Sequence, residues 1–198
     1  MLAWRRPGDE AIRAYLQRQA RERFSYAQVG ATRKGADALR ADLGGDFAVH
    51  RDRIRLGAGA ELYRRARACI TDWAMFRLPW VELCWPGAPL RVGTTVGVLA
   101  RALGLWVLNP CRIVYLVDEE GDPARFGFAY GTLPDHAARG EELFQVEWQR
   151  SDDTVWYERM AFSRPNGILP HLGTVYLRRA QRRFGTGSVA AVRRAVQS

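Results

Sequence analysis

Between residues 80 and 162 the sequence returns again and again to a period of two, and this run constrains the fold more than anything else in the chain. Residues 80–85, 92–99, 105–108, 112–118, 125–132, 143–150 and 154–162 each read as a strand or part of one. Alternation sets Phe126, Phe128 and Tyr130 on one face of their strand, and Phe144, Val146 and Trp148 on one face of theirs. Turn chemistry separates the segments: Pro86-Gly87-Ala88-Pro89, Asp118 to Pro123, and Ser151-Asp152-Asp153. Sequential strands joined by short turns predict an antiparallel meander.

Helical periodicity brackets the meander. Asp9 caps a helix expected to reach about Arg23, with Ile12, Tyr15, Leu16 and Gln19 on one side. Residues 24–32 read as extended, and residues 33–46 as a surface helix or a loop. Residues 47–56 alternate around a turn. Leu62, Ala66, Cys69, Ile70, Trp73 and Phe76 then form one stripe of an amphipathic helix, which Pro79 stops. Gly57-x-Gly59 before it reads as a tight strand-to-helix connection, since the third glycine of a dinucleotide loop and the Gly-Lys-Ser/Thr of a nucleotide loop are both missing. Near the end Leu172, Val175, Tyr176, Ala180 and Phe184 define a further helix. Gly185-Thr186-Gly187 is expected to break or kink it, and Ser188 to cap a last stretch to Val196. The predicted architecture is α+β: a curved antiparallel sheet gripping a long C-terminal helix. Residues 1–23 form an N-terminal helical extension, and residues 24–198 a single domain.

At 198 residues the chain is long enough to bury a core without a disulfide or metal staple. Its three cysteines, Cys69, Cys84 and Cys111, have no metal-type spacing and sit among apolar neighbours, which predicts free buried thiols and a cytoplasmic protein. Arg5-Arg6 is followed by Pro7-Gly8-Asp9-Glu10 rather than an apolar core, so no export signal is expected. No apolar run is long enough to span a membrane. The formal net charge is +9, and Lys34 is the single lysine. From residue 164 onward there are seven arginines and no acid, whereas residues 118–158 hold 11 acids and three arginines. The basic helices are expected to lie against the acidic middle or face solvent. No nucleic-acid motif is present.

The element order resembles the helix-grip fold of the START and birch-pollen-allergen-like superfamily, which implies an apolar cavity between sheet and last helix. At finer grain the chain resembles a bacterial and plant family known only as the domain of unknown function numbered nineteen-ninety. Several segments carry this: Ser25-Tyr26 with Val29-Gly30-Ala31-Thr32, Leu56-Gly57-Ala58-Gly59, Trp73-Ala74-Met75-Phe76, Phe162-Ser163-Arg164-Pro165 and Arg179-x-Gln181. The most specific runs from Gly127 through Tyr130-Gly131-Thr132-Leu133-Pro134-x-His136 to Gly140-Glu141-Glu142-x-Phe144. The resemblance implies no activity and no catalytic residues.

Candidate chemistry concentrates between Tyr130 and Phe144. His136 has a side chain suited to proton transfer near neutrality. Glu141 and Glu142 point to opposite faces if both lie in a strand, so one alone can meet a cavity. The plainer role is a glutamate bonded to loop amides with His136 as its partner. In residues 154–162 one face holds Trp156, Glu158, Met160 and Phe162, and the other Val155, Tyr157, Arg159 and Ala161. Whichever face is inward brings one charge, Glu158 or Arg159, as a polar anchor. The expected ligand-binding set is Tyr130, Trp148, Trp156, Glu158, Arg159, Met160 and Tyr176. No metal or cofactor is expected; His50 and His171 matter for a metal only if the fold gathers them with His136.

Three functions follow. The first is non-enzymatic binding of a hydrophobic or amphipathic small molecule of lipid or isoprenoid class. The second is a cyclase or hydrolase using His136 with Glu141 or Glu142. The third is peripheral contact with anionic membrane through the arginine-rich C-terminal helix.

Overall fold

The computed structural model describes residues 1–85, 87–166 and 171–197, and only the backbone of 171–174. Pro86 and the side chains of His171 and Leu172, which figured in the sequence reading, therefore lie outside the described residues. The described strands are β1 (Leu2–Ala3), β2 (Ala48–Ala58), β3 (Val81–Cys84), β4 (Thr95–Ala102), β5 (Leu105–Glu119), β6 (Ala124–Thr132), β7 (Ala138–Gln149) and β8 (Thr154–Pro165). They form one antiparallel sheet in the order β2-β8-β7-β6-β5-β4-β3, with β1 paired to β5. The helices are α1 (Asp9–Gln19), α2 (Ala36–Leu43), α3 (Ala60–Thr71) and α4 (His171–Gln197). This is the helix-grip arrangement expected from the order of periodicities.

The meander is present, with three local differences. The segments 105–108 and 112–118 are one strand, because residues 109–111 keep pairing with β4 through Asn109↔Val98, Pro110↔Gly97 and Cys111↔Val96. Residues 48–58 pair along β8, with a register shift between Arg55 and Gly57, rather than folding around a turn. β7 begins at Ala138, so Glu141 and Glu142 already belong to it.

Both faces of the sheet are covered, which long strands with two apolar faces require. On the concave face α3, the following turn and α4 bury Ile70, Trp73 and Phe76 against Phe128, Phe144, Tyr157 and Val192. On the outer face residues 24–47 lay Tyr26, Leu39, Leu43 and Phe47 over Tyr115, Leu143, Met160 and Phe162. α1 packs Ile12, Tyr15 and Leu16 against Cys84, Leu99 and Leu108. The N-terminal extension is thus docked on the sheet, and β1 adds to the part of β5 that β6 does not reach. Asp9 opens α1 instead of capping it, and pairs with Arg6 at 3.0 Å.

The last helix departs most from expectation. α4 runs unbroken through Gly185 and Gly187. Its buried side is Leu177, Ala180, Gln181, Phe184, Ser188, Val192 and Val196, whereas Val175 and Tyr176 are exposed. Ser188 is not a cap: its hydroxyl lies 2.8 Å from the Tyr157 hydroxyl in the core. The glycines serve packing. A Cβ on Gly185 would stand 2.6 Å from Arg159 Nη1 and 2.8 Å from Asp52 Oδ2, so only a glycine lets the helix sit on that ion pair.

Candidate functional site

β8 alternates, and its odd-numbered residues Val155, Tyr157, Arg159 and Ala161 face α4. Two cross-strand rows then fix the polar groups of the concave face. One row is Tyr130, Glu142, Ala161 and His50; the next is Phe128, Phe144, Arg159 and Asp52. Arg159 is 4% exposed. Its Nε donates to Glu142 Oε1 and its Nη1 to Asp52 Oδ2 at 2.8 Å. Tyr130 donates its hydroxyl to Glu142 Oε2 at 2.6 Å. The Arg159 guanidinium lies 5.4 Å from the centre of the Phe184 ring on α4. Burial, reinforced by the Glu142 carboxylate, pushes the Tyr130 hydroxyl well above the usual phenol range, so it stays a donor.

Above this network large side chains give out. Along β7 the inward sequence is Phe144, Glu142, Gly140, Ala138; along β8 it is Tyr157, Arg159, Ala161, Ser163. With Ala100 and Ala180 these small residues leave a cavity of about 160 Å³ between sheet and α4. Trp80, Val98, Leu177 and Phe184 supply its apolar wall, and His50, Asn109 and His136 its polar points.

His136 sits in the β6–β7 connection. That loop is held by Asn109 Oδ1, which accepts the Ala137 N–H at 3.1 Å, and by Asn166, which donates to the His136 carbonyl at 2.7 Å. His136 Nδ1 accepts the Ala138 N–H at 2.9 Å, so the neutral ring carries its proton on Nε2. Burial pushes its pKa down to about 4.

Of the residues singled out in the sequence, the structure gathers Tyr130, His136, Glu142 and Arg159 at this cavity. Glu141 also borders the cavity, but its carboxylate does not enter it, and the remaining residues lie elsewhere. Glu141 sends its carboxylate to the outer face, where Tyr26 donates at 2.8 Å, the Gly30 N–H at 2.6 Å and the Thr32 N–H at 3.0 Å, joined by the Thr32 hydroxyl. It does bond loop amides, but those of residues 30–32, and His136 is not its partner. Glu158 is also on the outer face, bonded to Arg51 at 2.8 Å and Arg53 at 3.2 Å, so the inward charge of β8 is Arg159. Trp156 lies under Arg53, and Met160 in the outer cluster. Trp148 packs on Tyr63 of α3, away from the cavity. Tyr176 faces solvent because the inward stripe of α4 passes through Leu177. The fold brings His50 to the same cavity as His136, yet among the described residues no group of three or more metal-binding side chains forms. No described helix is long and apolar enough to cross a membrane.

Trp80, Asn109, Leu177 and Phe184 are among the lining residues that sequence reasoning did not assign to a site, and His50 was weighed only as a metal ligand. The taper from Phe144 to Ala138 and from Tyr157 to Ser163 was a readable sign of the cavity.

Comparisons with known proteins agree with this geometry. The model of a family described as "Domain of unknown function (DUF1990)" matches residues 25–191. A UPF0548 protein of Dictyostelium discoideum is 35% identical over 209 residues, covering 100% of this chain and 97% of that protein. One from Arabidopsis thaliana is 29% identical over 198 residues, covering 96% and 95%. Among solved structures, the di-domain ARO/CYC StfQ from the steffimycin biosynthetic pathway superposes with a TM-score of 0.53 at 14% identity, covering 81% of this chain and 54% of that one. At that identity the likeness is one of fold.

Proposed function

The chain belongs to the DUF1990 family, a membership that carries no activity with it, and from the cavity itself we propose that the protein binds a small apolar molecule between its sheet and α4. The observation that carries this is a cavity with an apolar wall above a fixed polar base, the usual form of a small-molecule site. Size narrows the class. A closed cavity of about 150 Å³ holds benzene, so about 160 Å³ suits a small ring system or a short isoprenoid unit, and any longer part of a ligand would extend through the open side. Proton-transfer chemistry is the weaker reading. Glu142 is occupied by Tyr130 and Arg159, and Glu141 faces the opposite side of the sheet.

The test begins with native mass spectrometry of protein purified from cells, followed by melting in the presence of naphthalene-sized apolar compounds. A ligand at 100 times its Kd raises stability by about 2.7 kcal/mol, which reads as a clear rise in Tm. Ala161→Leu fills the space and is expected to abolish the rise while the protein stays folded. No co-purified species, no rise with any compound and no effect of Ala161→Leu would together overturn the proposal.

A further inference from the structure

The cavity's polar lining accounts for itself almost completely. Ser163 Oγ accepts from Gln181 Nε2 at 2.9 Å, and Thr132 Oγ1 exchanges bonds with Gly140. Asn109 Nδ2 reaches backbone carbonyls while its Oδ1 takes the Ala137 N–H. Tyr130 and Arg159 are spent on Glu142 and Asp52. The exceptions are the two histidines: among the described residues His136 Nε2, on a ring whose Nδ1 is taken, has no partner, and neither has His50 Nε2, which is in addition fully buried. A buried polar atom left unmatched costs about 1–3 kcal/mol, and native proteins seldom leave one unmatched without a use.

The position of His50 tells what would match it. It shares a cross-strand row with Glu142, and the residue between them is Ala161. Neighbouring strands lie about 4.8 Å apart, so roughly 10 Å separates the two backbones, with a methyl group as the only side chain between. The gap is cavity. Burial and the Arg159 cation both keep the His50 ring neutral, so Nε2 can give or take one hydrogen bond and has no charge to pair. The charges around the gap also speak against an anion. Among the described residues that line the cavity Arg159 is the cation, and it is already spent on the two carboxylates Glu142 and Asp52; Arg182, whose charge also reaches His50, does not line it.

We infer that the cavity selects a neutral ligand, an apolar body bearing one hydroxyl or carbonyl oxygen that hydrogen-bonds His50 Nε2, and rejects the corresponding carboxylate. This rests on the cavity-binding reading above and adds the head-group class and the residue that reads it. His50 is a specificity-determining contact and does not hold the fold together.

Three probes with one apolar body test it: naphthalene, 2-naphthol and 2-naphthoate, titrated by calorimetry into the full-length protein. The expected order is 2-naphthol at least tenfold tighter than naphthalene, with 2-naphthoate weakest. In His50→Leu the 2-naphthol advantage over naphthalene disappears while naphthalene still binds, which shows that the variant is folded and its cavity open. His50→Gln, which keeps a hydrogen-bonding side chain, retains part of the preference. A 2-naphthoate preference, or a 2-naphthol advantage that survives His50→Leu, overturns the inference alone. If naphthalene and 2-naphthol bind equally to the unmodified protein, the inference also fails while cavity binding stands. If none of the three binds, the cavity-binding reading fails and the inference falls with it.

Discussion

His136 meets the cavity as a neutral imidazole, and its proton balance sets a pH dependence for the whole protein. An unfolded histidine titrates near 6.5. Here burial pushes the pKa down to about 4, and burial shifts His50 in the same direction. Between these values the folded chain holds fewer protons than the unfolded chain. Stability is therefore complete above about pH 6.5 and declines as the pH falls toward 4. Urea midpoints measured from pH 7 to pH 4 should drop, and the drop should be shallower in His136→Gln. Ring resonances should show His136 titrating near 4; a midpoint near 6.5 would refute the buried, neutral state. Parity alone revealed at this scale that Glu141 and Glu142 divide between two faces. It did not reveal which face is inward, because the strand residues on either side of the sheet are similarly apolar.

Among the elements, α4 sets intrinsic propensity against packing. Alanine is favoured over glycine in a helix interior by about 1 kcal/mol, so Gly185→Ala would stabilise an isolated helix. In the protein the new Cβ would press on Arg159 and Asp52, which are locked in their pair. The expected net result is a loss of about 1–3 kcal/mol, seen as a lower Tm by circular dichroism. A higher Tm would show that the close approach of the helix is dispensable. The same contest explains what was legible. The strands were readable because a period of two and short turns act locally. The helix break was misread because the reason for Gly185 and Gly187 lies in Arg159, Asp52 and Leu78, far away in sequence. Ala180 and Phe184 of the expected stripe on α4 face inward, but Val175 and Tyr176 do not, because they are apolar yet sit outside the grip.

For the whole molecule, the two-sided coat makes the N-terminus part of the structure. Ile12, Tyr15 and Leu16 are buried, and β1 extends the sheet. At about 1.5–3 kcal/mol for each of these three buried side chains, deleting residues 1–23 removes roughly 4.5–9 kcal/mol, much of a typical domain's stability. The truncated chain 24–198 is expected to be insoluble or to melt far below the intact protein. Melting within a few degrees of it would show the extension to be an appendage. The acidic middle is likewise used within the fold: Glu147 and Glu158 take Arg53, Arg51 and Arg125 from β2 and β6. The sequence assigned the acids to arginines of the helices, and Arg67 of α3 does meet Asp118 at 3.1 Å, but the buried acids take strand arginines, because charge runs show which segments are basic and not which of them are neighbours in space.

Glu141 and Glu142 are neighbours in the chain that answer to different demands. Glu141 is tied to Tyr26, Gly30 and Thr32, and any descendant of this protein that keeps its outer coat must keep it. Glu142 faces the cavity with Arg159 and Tyr130. If the cavity came to serve a different ligand, Glu142 and Arg159 would have to change as a pair, since losing one leaves the other's charge buried, while the adjacent codon is held fixed.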